Sequence, residues 1–207
     1  AAIEAIQADY NAYTPVDGYA ELKDAICTKF KRDNGLEYAP NQIVVSTGAK
    51  QSIANVVQVL INPGDDVLLV APYWVSYSAM VILAEGNPIE IRSDIKTDFK
   101  ITPEQLEEAI TPKTKLVMLN SPNNPSGSMY TKAEYEALAA VLEKYPNIFV
   151  LSDEIYEHIN YDGATPFSFA AVASMYERTV TVNGLAKAFA MTGWRIGYLG
   201  GPAWIAK

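Results

Sequence analysis

A lysine and an arginine, Lys187 and Arg195, stand among small and apolar residues in the stretch NGLAKAFAMTGWRIGY, residues 183–198. A lysine amine can form a Schiff base with a carbonyl group, and the planar fork of an arginine suits a dianionic phosphate. A solvated face would carry more polar neighbours, so the pattern indicates a ligand site. Burial lowers a lysine pKa and so favours the neutral amine that this chemistry needs. We therefore expect Lys187 to lie in an apolar setting.

A carboxylate and a phenol, Asp153 and Tyr156, follow a second apolar run in IFVLSDEIYEH. A carboxylate at that depth needs a cation or hydrogen-bond donors, because an unpaired buried charge is expensive. Asp153 therefore indicates a positively charged ligand atom. A helix cap for Asp153 and a core phenol for Tyr156 are equally consistent with each residue taken alone.

Three more motifs carry groups that suit a flat, phosphorylated ligand. In STGAKQS, Gly48 and Ala49 would open a helix whose free N–H groups and dipole favour a phosphate. In APYWVSY, Trp74 could stack on a planar ring. In NSPNNPSG, two prolines and a glycine would hold the amide of Asn124 in place. Each motif has an ordinary alternative: a plain helix start, a core tryptophan and a turn.

The elements that must position these residues alternate between short strands and helices. Runs rich in Val, Ile and Leu predict seven strands, which start near residues 42, 66, 88, 115, 148, 179 and 194. Helical patterns between them indicate βαβ units, so we predict an α/β fold: three α/β/α layers with a mostly parallel seven-stranded sheet. In such folds ligands bind outside the carboxyl ends of the strands. The motifs described above follow predicted strands, and Arg195 is expected at the start of the seventh.

Local signals mark the ends of three helices. ELKDAICTKFKRDNG carries an apolar stripe and stops at Gly35, a position typical of a left-handed cap. TPEQLEEAI and TKAEYEALAAVLEKY open on Thr102 and Thr131 with Gln or Glu three residues on, which is the capping-box pattern. Cys27 lies beside the apolar stripe, so we expect an inert, partly buried thiol.

Composition narrows the class of protein. Of the 207 residues, 49% are hydrophobic and 19% charged, which is typical of a globular domain with a large core. The net charge of −8 argues against a nucleic-acid partner. No apolar run reaches the roughly 18 residues of a membrane span, so we expect no membrane partner. A single cysteine suits a reducing, cytoplasmic compartment. His158, the one histidine, has no partner pattern, so we expect a surface or core residue and no metal site.

The motifs together resemble those of the class I aminotransferases, which are pyridoxal-phosphate enzymes of fold type I. The lysine signature of that family is a small, an apolar and a small residue before the lysine, and later a glycine two positions before Arg-apolar-Gly. Residues 184–187 and 193–197 match it. Many members have serine where Ala186 stands, which implies that a hydroxyl contact to the phosphate is absent here. The resemblance extends from NAYTPVDGYAELK to the end of the chain.

The resemblance implies a role for each residue around pyridoxal 5'-phosphate. Lys187 would carry the Schiff base and then move the proton. Asp153 would pair with the pyridine nitrogen and keep it protonated, which makes the ring an electron sink. Tyr156 would contact the ring hydroxyl oxygen. The remaining contacts would come from Asn124 at that oxygen, Trp74 on the ring face, and Gly48, Ala49 and Arg195 at the phosphate.

The resemblance also implies partners and substrates. Tyr13 in NAYTPVDG matches a tyrosine that reaches the phosphate of the neighbouring subunit, which implies a homodimer with shared active sites. Lys50 in TGAKQ matches a lysine of the bacterial-type aspartate aminotransferase subgroup that pairs with the distal carboxylate of the substrate, although a solvated lysine is the alternative. Trp74 and Asn124 would also contact the substrate. We therefore expect amino-group transfer from aspartate, or another acidic amino acid, to 2-oxoglutarate by a ping-pong route.

Other functions fit the same motifs. Some relatives with this pattern act on prephenate, which also carries two carboxylates. Lyases of the same fold share the lysine and the aspartate. Outside enzymes, the alternative is the cofactor-sensing, aminotransferase-like domain of a transcription regulator.

We predict that residues 1–207 form most of a cofactor-binding large domain. In the family, an N-terminal segment closes over the site, and the arginine that binds the substrate α-carboxylate lies in a C-terminal small domain. Both are expected to lie outside this chain. The 207-residue chain alone should therefore have little or no transaminase activity.

Overall fold

The computed structural model describes residues 1–161 and 163–207. The described residues form seven strands: β1 Ile43–Ser46, β2 Asp66–Ala71, β3 Asn87–Arg92, β4 Thr114–Asn120, β5 Phe149–Asp153, β6 Thr179–Gly184 and β7 Gly197–Gly200. They also form seven α-helices: α1 Ala2–Gln7, α2 Ala20–Lys29, α3 Ala49–Leu60, α4 Ser76–Leu83, α5 Pro103–Ala109, α6 Lys132–Leu142 and α7 Ala203–Ala206. Each predicted strand is present and starts within three residues of its expected position.

A single sheet holds these strands in the order β1-β7-β6-β5-β4-β2-β3. Neighbouring strands from β6 to β3 run parallel, whereas β7 runs antiparallel to both β1 and β6. Because β7 is reversed, its first residue, Gly197, lies opposite Ser46 and Gly184, the last residues of β1 and β6. The segment that enters β7 therefore meets the carboxyl ends of the other strands at one edge of the sheet.

Helices cover both faces of the sheet and complete the predicted three layers. On one face, α3 and α4 bury Ile53, Val57 and Val81 against the strands. On the other face, α5 and α6 bury Leu106 and Leu138. Each such side chain contributes about 1.5–3 kcal/mol when fully buried. All residues of β6 are buried, as expected for a strand covered on two sides. The strand ends are thus held by a rigid core.

The predicted helix ends are confirmed. Gly35 has φ 67°, the left-handed conformation that ends a helix. Before it, α2 passes into a five-residue π-helix, Phe30–Asn34, which the apolar stripe did not indicate. Thr102 and Thr131 each accept a hydrogen bond from the N–H three residues on, and the later side chain accepts the threonine N–H in return.

The start of β7 differs from the prediction. The sequence placed Trp194 and Arg195 in the strand, whereas Thr192–Trp194 forms a short 3₁₀ turn and β7 begins at Gly197. Arg195 has φ 54° and ψ 50°, a left-handed conformation that cannot continue an extended strand. Arg195 therefore belongs to the loop at the edge of the sheet.

Two expectations from composition concern the thiol and the membrane. Cys27 is half-buried, and its desolvation, with the nearby charge of Asp24, raises the pKa of the thiol. This confirms the predicted partial burial, and the raised pKa disfavours the thiolate, which is the reactive form. In the described part of the chain, every helix is too short or too polar to cross a lipid bilayer.

Candidate active site

A cavity of about 200 Å³ opens at the carboxyl edge of the sheet, near the ends of β4 and β5 and the start of α3. For scale, a cavity of about 150 Å³ accommodates a benzene molecule. Of the ten residues that the sequence predicted for the site, eight line this cavity: Ala49, Lys50, Trp74, Asn124, Asp153, Tyr156, Lys187 and Arg195. The fold thus brings together motifs that lie up to about 150 residues apart in the sequence.

Asp153, the last residue of β5, is a buried carboxylate with an exposed fraction of 4%. The Tyr77 hydroxyl donates to its Oδ2 at 2.6 Å, and the Ile155 N–H donates to its Oδ1 at 3.2 Å. Burial raises the pKa of Asp153 to about 6, although these hydrogen bonds and the charge of Lys187 act in the opposite direction. A carboxylate in this setting is stabilised by a cationic ligand atom, and the cavity gives such an atom access.

Asn124 and Tyr156 lie side by side, with the Asn124 Nδ2 atom 3.3 Å from the Tyr156 hydroxyl oxygen. Asn120, at the end of β4, holds this arrangement together. Its Oδ1 accepts the Asn124 N–H at 2.7 Å, and its Nδ2 donates to the carbonyl oxygen of Asp153 at 2.9 Å. Asn120 is not among the residues that the sequence predicted for the site. The signal was a polar residue that closes the buried run KLVMLN, where its amide must find partners.

Lys187 and Arg195 line the cavity but are both exposed to solvent. The expected apolar setting of Lys187 is therefore wrong for this chain. The segment between β6 and β7 consists of turns, and its large apolar side chains Phe189 and Trp194 are 59% and 60% exposed, so they leave the lysine open to water. Lys187 Nζ lies 5.7 Å from the ring centroid of Tyr156, which places the amine beside the part of the cavity that Asp153, Asn124 and Tyr156 form, its buried half.

Gly48 and Ala49 form a tight contact with the loop that enters β7. Gly48 has φ 86°, and a Cβ atom there would lie 2.9 Å from Arg195 Cζ and overlap the guanidinium nitrogen. A Cβ atom on Gly197 would overlap the backbone of Ala49, the first residue of α3. Arg195 Nη1 also donates to the Thr192 carbonyl at 2.8 Å. The absence of side chains at the two glycines therefore lets a guanidinium lie against the positive end of a helix dipole.

Lys50 and Trp74 form one wall of the cavity. Lys50 Nζ lies 4.7 Å from the Trp74 ring centroid, in cation–π geometry. Trp74 is half-buried and packs edge-to-face on Tyr77, with ring centroids 5.5 Å apart. The core interpretation of Trp74 is thus partly confirmed, since the ring packs against the core, and the residue also lines the cavity. Tyr77 was missed, although it lies one helical turn after Trp74 in APYWVSY.

Two other predicted residues lie away from the cavity or differ in their contacts. Tyr13 is fully exposed and is outside the cavity lining. His158 is a surface residue, as expected, but it has carboxylate neighbours that the sequence did not indicate. Its Nε2 lies 3.2 Å from Glu157 Oε1 and 3.8 Å from Asp33 Oδ2. The buried Glu157 carboxylate is already paired with Lys29.

Comparison with known proteins places this geometry in a family. The model of the family described as "Aminotransferase class I and II" matches residues 1–207. The aspartate/prephenate aminotransferase of Cereibacter sphaeroides is 52% identical over 206 residues, which cover 98% of this chain and 51% of the relative.

Solved structures agree with this match. The crystal structure of the aspartate aminotransferase from Rhizobium meliloti is 48% identical, has a TM-score of 0.98, and is matched over 99% of this chain and 52% of its own. An aromatic aminotransferase from Pyrococcus horikoshii is 40% identical with a TM-score of 0.96, over 99% of this chain and 55% of its own. The chain therefore spans about half the length of the relatives that it matches. By sequence and by fold, it belongs to the class I and II aminotransferase family.

Proposed function

We propose that the protein is an aminotransferase that uses pyridoxal 5'-phosphate to transfer an amino group from aspartate, or another acidic amino acid, to 2-oxoglutarate. Family membership supports the class of reaction and implies this cofactor. The observation that carries the proposal is the convergence, in one cavity, of an amine, a buried carboxylate, an amide–phenol pair and a guanidinium at a helix start. These are the groups that the different parts of the cofactor require.

The phosphate end of the cofactor fits the cradle between α3 and the loop before β7. The N–H groups of Ala49 and the next residue stand at the start of a 12-residue helix, where anions are stabilised. Arg195 adds a planar set of donors beside Gly48. We assign these three residues, Gly48, Ala49 and Arg195, to the phosphate.

The ring end fits the buried half of the cavity. Asp153 offers a carboxylate to the ring nitrogen, and the adjacent Asn124 and Tyr156 offer an amide and a phenol to the ring hydroxyl oxygen. Trp74 presents an aromatic ring to the cavity and would pack on the cofactor face. The donor set thus matches a flat ring with a cationic nitrogen on one side and an oxygen on the other.

When bound, pyridoxal phosphate supplies an aldehyde that bonds amines and a ring that accepts electrons from the α carbon of the substrate. Asp153 would keep a proton on the ring nitrogen, because a carboxyl group with a pKa of about 6 is mostly ionised at neutral pH. Lys187 Nζ, beside Tyr156, would hold the aldehyde end of the cofactor and would serve as the base that moves the substrate proton. Tyr156 and Asn124 would hold the ring oxygen by hydrogen bonds.

The proposed substrate class rests on Lys50. Its ammonium lies at the cavity wall over Trp74, where it can meet a second carboxylate of an acidic substrate. Similar proteins are named aspartate/prephenate aminotransferases, and prephenate carries two carboxylates, so it is the second candidate substrate. Trp74 and Asn124 would contact the same substrate. Overall shape alone does not identify the substrate, since an aromatic aminotransferase has nearly the same fold.

We further propose that residues 1–207 are the cofactor-binding large domain of a cytoplasmic homodimer. The exposed Tyr13 supports this arrangement, because a fully solvated phenol in an irregular segment is available to a neighbouring subunit's phosphate site. The half-length match to relatives supports the need for further parts of the protein for activity.

The test is the absorbance spectrum of the full-length protein with pyridoxal phosphate, followed by addition of amino acids. We expect the visible band of the bound cofactor to convert to the pyridoxamine form with aspartate and not with alanine or phenylalanine. Conversion by aromatic amino acids alone would overturn the substrate class, and elimination products would instead indicate a lyase. Binding without conversion by any amino acid would favour a cofactor-sensing domain.

Two variants serve as controls for this spectrum. Lys187→Ala should abolish the visible band. Lys132→Ala removes an exposed lysine of α6 that pairs with Glu136, away from the cavity, and should leave the band unchanged. A band of normal intensity in Lys187→Ala would contradict the assigned amine.

A further inference from the structure

A buried phenol, Tyr77, contacts the carboxylate that the proposed function assigns to the ring nitrogen. Tyr77 lies on α4 with an exposed fraction of 2%, and its hydroxyl donates to Asp153 Oδ2 at 2.6 Å. These two residues are 76 positions apart in the sequence, so the contact depends on the packing of α4 against the end of β5. The same ring supports Trp74 through the edge-to-face contact at 5.5 Å.

The hydroxyl of Tyr77 retains the proton that it donates to Asp153. Its burial, with the adjacent charge of Asp153, raises the pKa of the phenol well above its ordinary value. The phenol is therefore protonated at neutral pH. A donated hydrogen bond to an ionised acceptor favours the ionised form, which here is the Asp153 carboxylate.

The other groups that face Asp153 come from different elements. Ile155 donates its N–H to Oδ1, and Lys187, from the loop after β6, contributes a positive charge. Tyr156, from the turn after β5, lines the same cavity, and Asn120 of β4 bonds the main-chain oxygen of Asp153, which leaves the carboxylate free. Within the described residues, Tyr77 is thus the one side chain that hydrogen-bonds the carboxylate.

We propose that Tyr77 is a positioning residue for the reaction, whose hydroxyl orients the Asp153 carboxylate toward the cavity and keeps it ionised for a cationic ring nitrogen. The inference rests on the proposed function for the identity of the ring. Through the single side chain of Tyr77 it links two supports of that ring, since the ring that orients Asp153 also packs against Trp74. Loss of the Tyr77 hydroxyl therefore affects the Asp153 carboxylate through a lost hydrogen bond, whereas Tyr77 affects Trp74 only through the packing of the two rings.

The chain offers a matched pair of variants for the test. Tyr77→Phe removes the hydroxyl and keeps the ring. Tyr135→Phe does the same at a fully buried tyrosine whose hydroxyl makes no hydrogen bond to any residue that the structure describes. Both remove one buried oxygen from the core, but only the first removes a donor to Asp153.

The first measurement is the titration of the Asp153 carboxyl group by carbon NMR in the cofactor-free, full-length protein, with the signal assigned from Asp153→Asn. Loss of a hydrogen bond to a charged group should raise the proton affinity of Asp153 about tenfold in Tyr77→Phe. Tyr135→Phe should leave the titration unchanged. An unchanged titration in Tyr77→Phe, or an equal change in both variants, would overturn the proposal.

The second measurement is the affinity for pyridoxal phosphate as a function of pH. The pH above which binding becomes tight should move upward in Tyr77→Phe. In a protein that already carries Asp153→Asn, the Tyr77→Phe substitution should have little further effect on the affinity. Failure of the unmodified protein to bind pyridoxal phosphate would refute the proposed function, while the carboxyl titration would still decide the role of Tyr77. Normal binding with an unmoved pH profile in Tyr77→Phe would refute the role of Tyr77 alone.

Discussion

The buried and the exposed halves of the cavity hold their charged groups in different surroundings. In the buried half, Asp153 is 4% exposed and its two carboxylate oxygens accept hydrogen bonds from fixed donors. In the exposed half, Lys187 and Arg195 stand on turns and face water. Water screens these two cations, whereas the carboxylate interacts through a medium of low polarity.

Because their surroundings differ, the two halves of the cavity control different properties of the site. A buried group in a fixed geometry sets proton affinity, because desolvation acts on its charge directly. Exposed cations contribute attraction that salt weakens, so they govern how tightly a phosphate is held. The buried half is therefore expected to dominate pH dependence, and the exposed half to dominate affinity and its sensitivity to salt.

The largest expected effect is on the pH dependence of stability. The pKa of Asp153 is about 6 in the folded chain and 3.8 in its ordinary state, so between about pH 4 and 6 the unfolded chain binds fewer protons than the folded chain. The contribution of Asp153 to the free energy of unfolding thus falls as pH rises through this window, by about 3 kcal/mol in total. Relative to the unmodified, cofactor-free protein, Asp153→Asn should gain about this amount of stability from pH 4 to pH 7. Urea denaturation at several pH values measures it.

Glu154→Gln provides the matched comparison. Glu154 is also buried, which raises its pKa to about 7, but its carboxylate bonds Ser152 and Ser168 on the other side of β5. The contribution of Glu154 to the free energy of unfolding should therefore also fall as pH rises, and this fall should continue to a higher pH than that of Asp153. A stability difference between Asp153→Asn and the unmodified protein that stays constant with pH would show that Asp153 does not titrate as the burial requires.

The next effect is on phosphate affinity in the exposed half. Arg195→Ala should weaken binding of pyridoxal phosphate about 10- to 100-fold, as expected for the loss of charge-assisted hydrogen bonds. The loss should shrink at high salt, because the remaining attraction is screened. Arg32→Ala is the control, since Arg32 is also an exposed arginine and is paired with Asp33 away from the cavity. Equal affinities for the two variants in a fluorescence titration would contradict the phosphate assignment.

The smallest effect tests the contact between Gly48 and the loop that enters β7. Gly48→Ala should lower the free energy of unfolding by about 1 kcal/mol and displace Arg195, because the new Cβ atom overlaps the guanidinium. Gly64→Ala is matched to it. Gly64 has the same φ of 86°, but a Cβ atom added there would have no atom of the described chain within 4 Å, so it isolates backbone strain. If cofactor affinity falls equally in both variants, the cradle at Gly48 has no special role.

Local signals in the sequence predicted much of the fold. The capping boxes at Thr102 and Thr131 and the cap at Gly35 depend on neighbours within a few residues, and each is present. Strand positions followed from runs of apolar residues that both faces of the sheet bury. The convergence of strand-end motifs then followed from topology, since parallel strands share one carboxyl edge.

The remaining features depend on contacts that a local pattern does not carry. The reversal of β7 and the left-handed conformation of Arg195 arise from pairing with β1 and β6 and from close packing at Gly197. The Tyr77 contact joins residues far apart in the chain. The exposure of Lys187 was mispredicted because small and apolar neighbours occur in turns as well as in cores, and composition alone does not distinguish them.

The proposal that Lys187 is the amine of a pyridoxal-phosphate site can be decided by reductive trapping. The full-length protein is incubated with pyridoxal phosphate, reduced with borohydride, digested and mapped by mass spectrometry. We predict one modified lysine, Lys187, with the second cavity lysine, Lys50, unmodified. Modification of Lys50 in place of Lys187, or equal labelling of Lys187 and the surface residue Lys132, would contradict the claim.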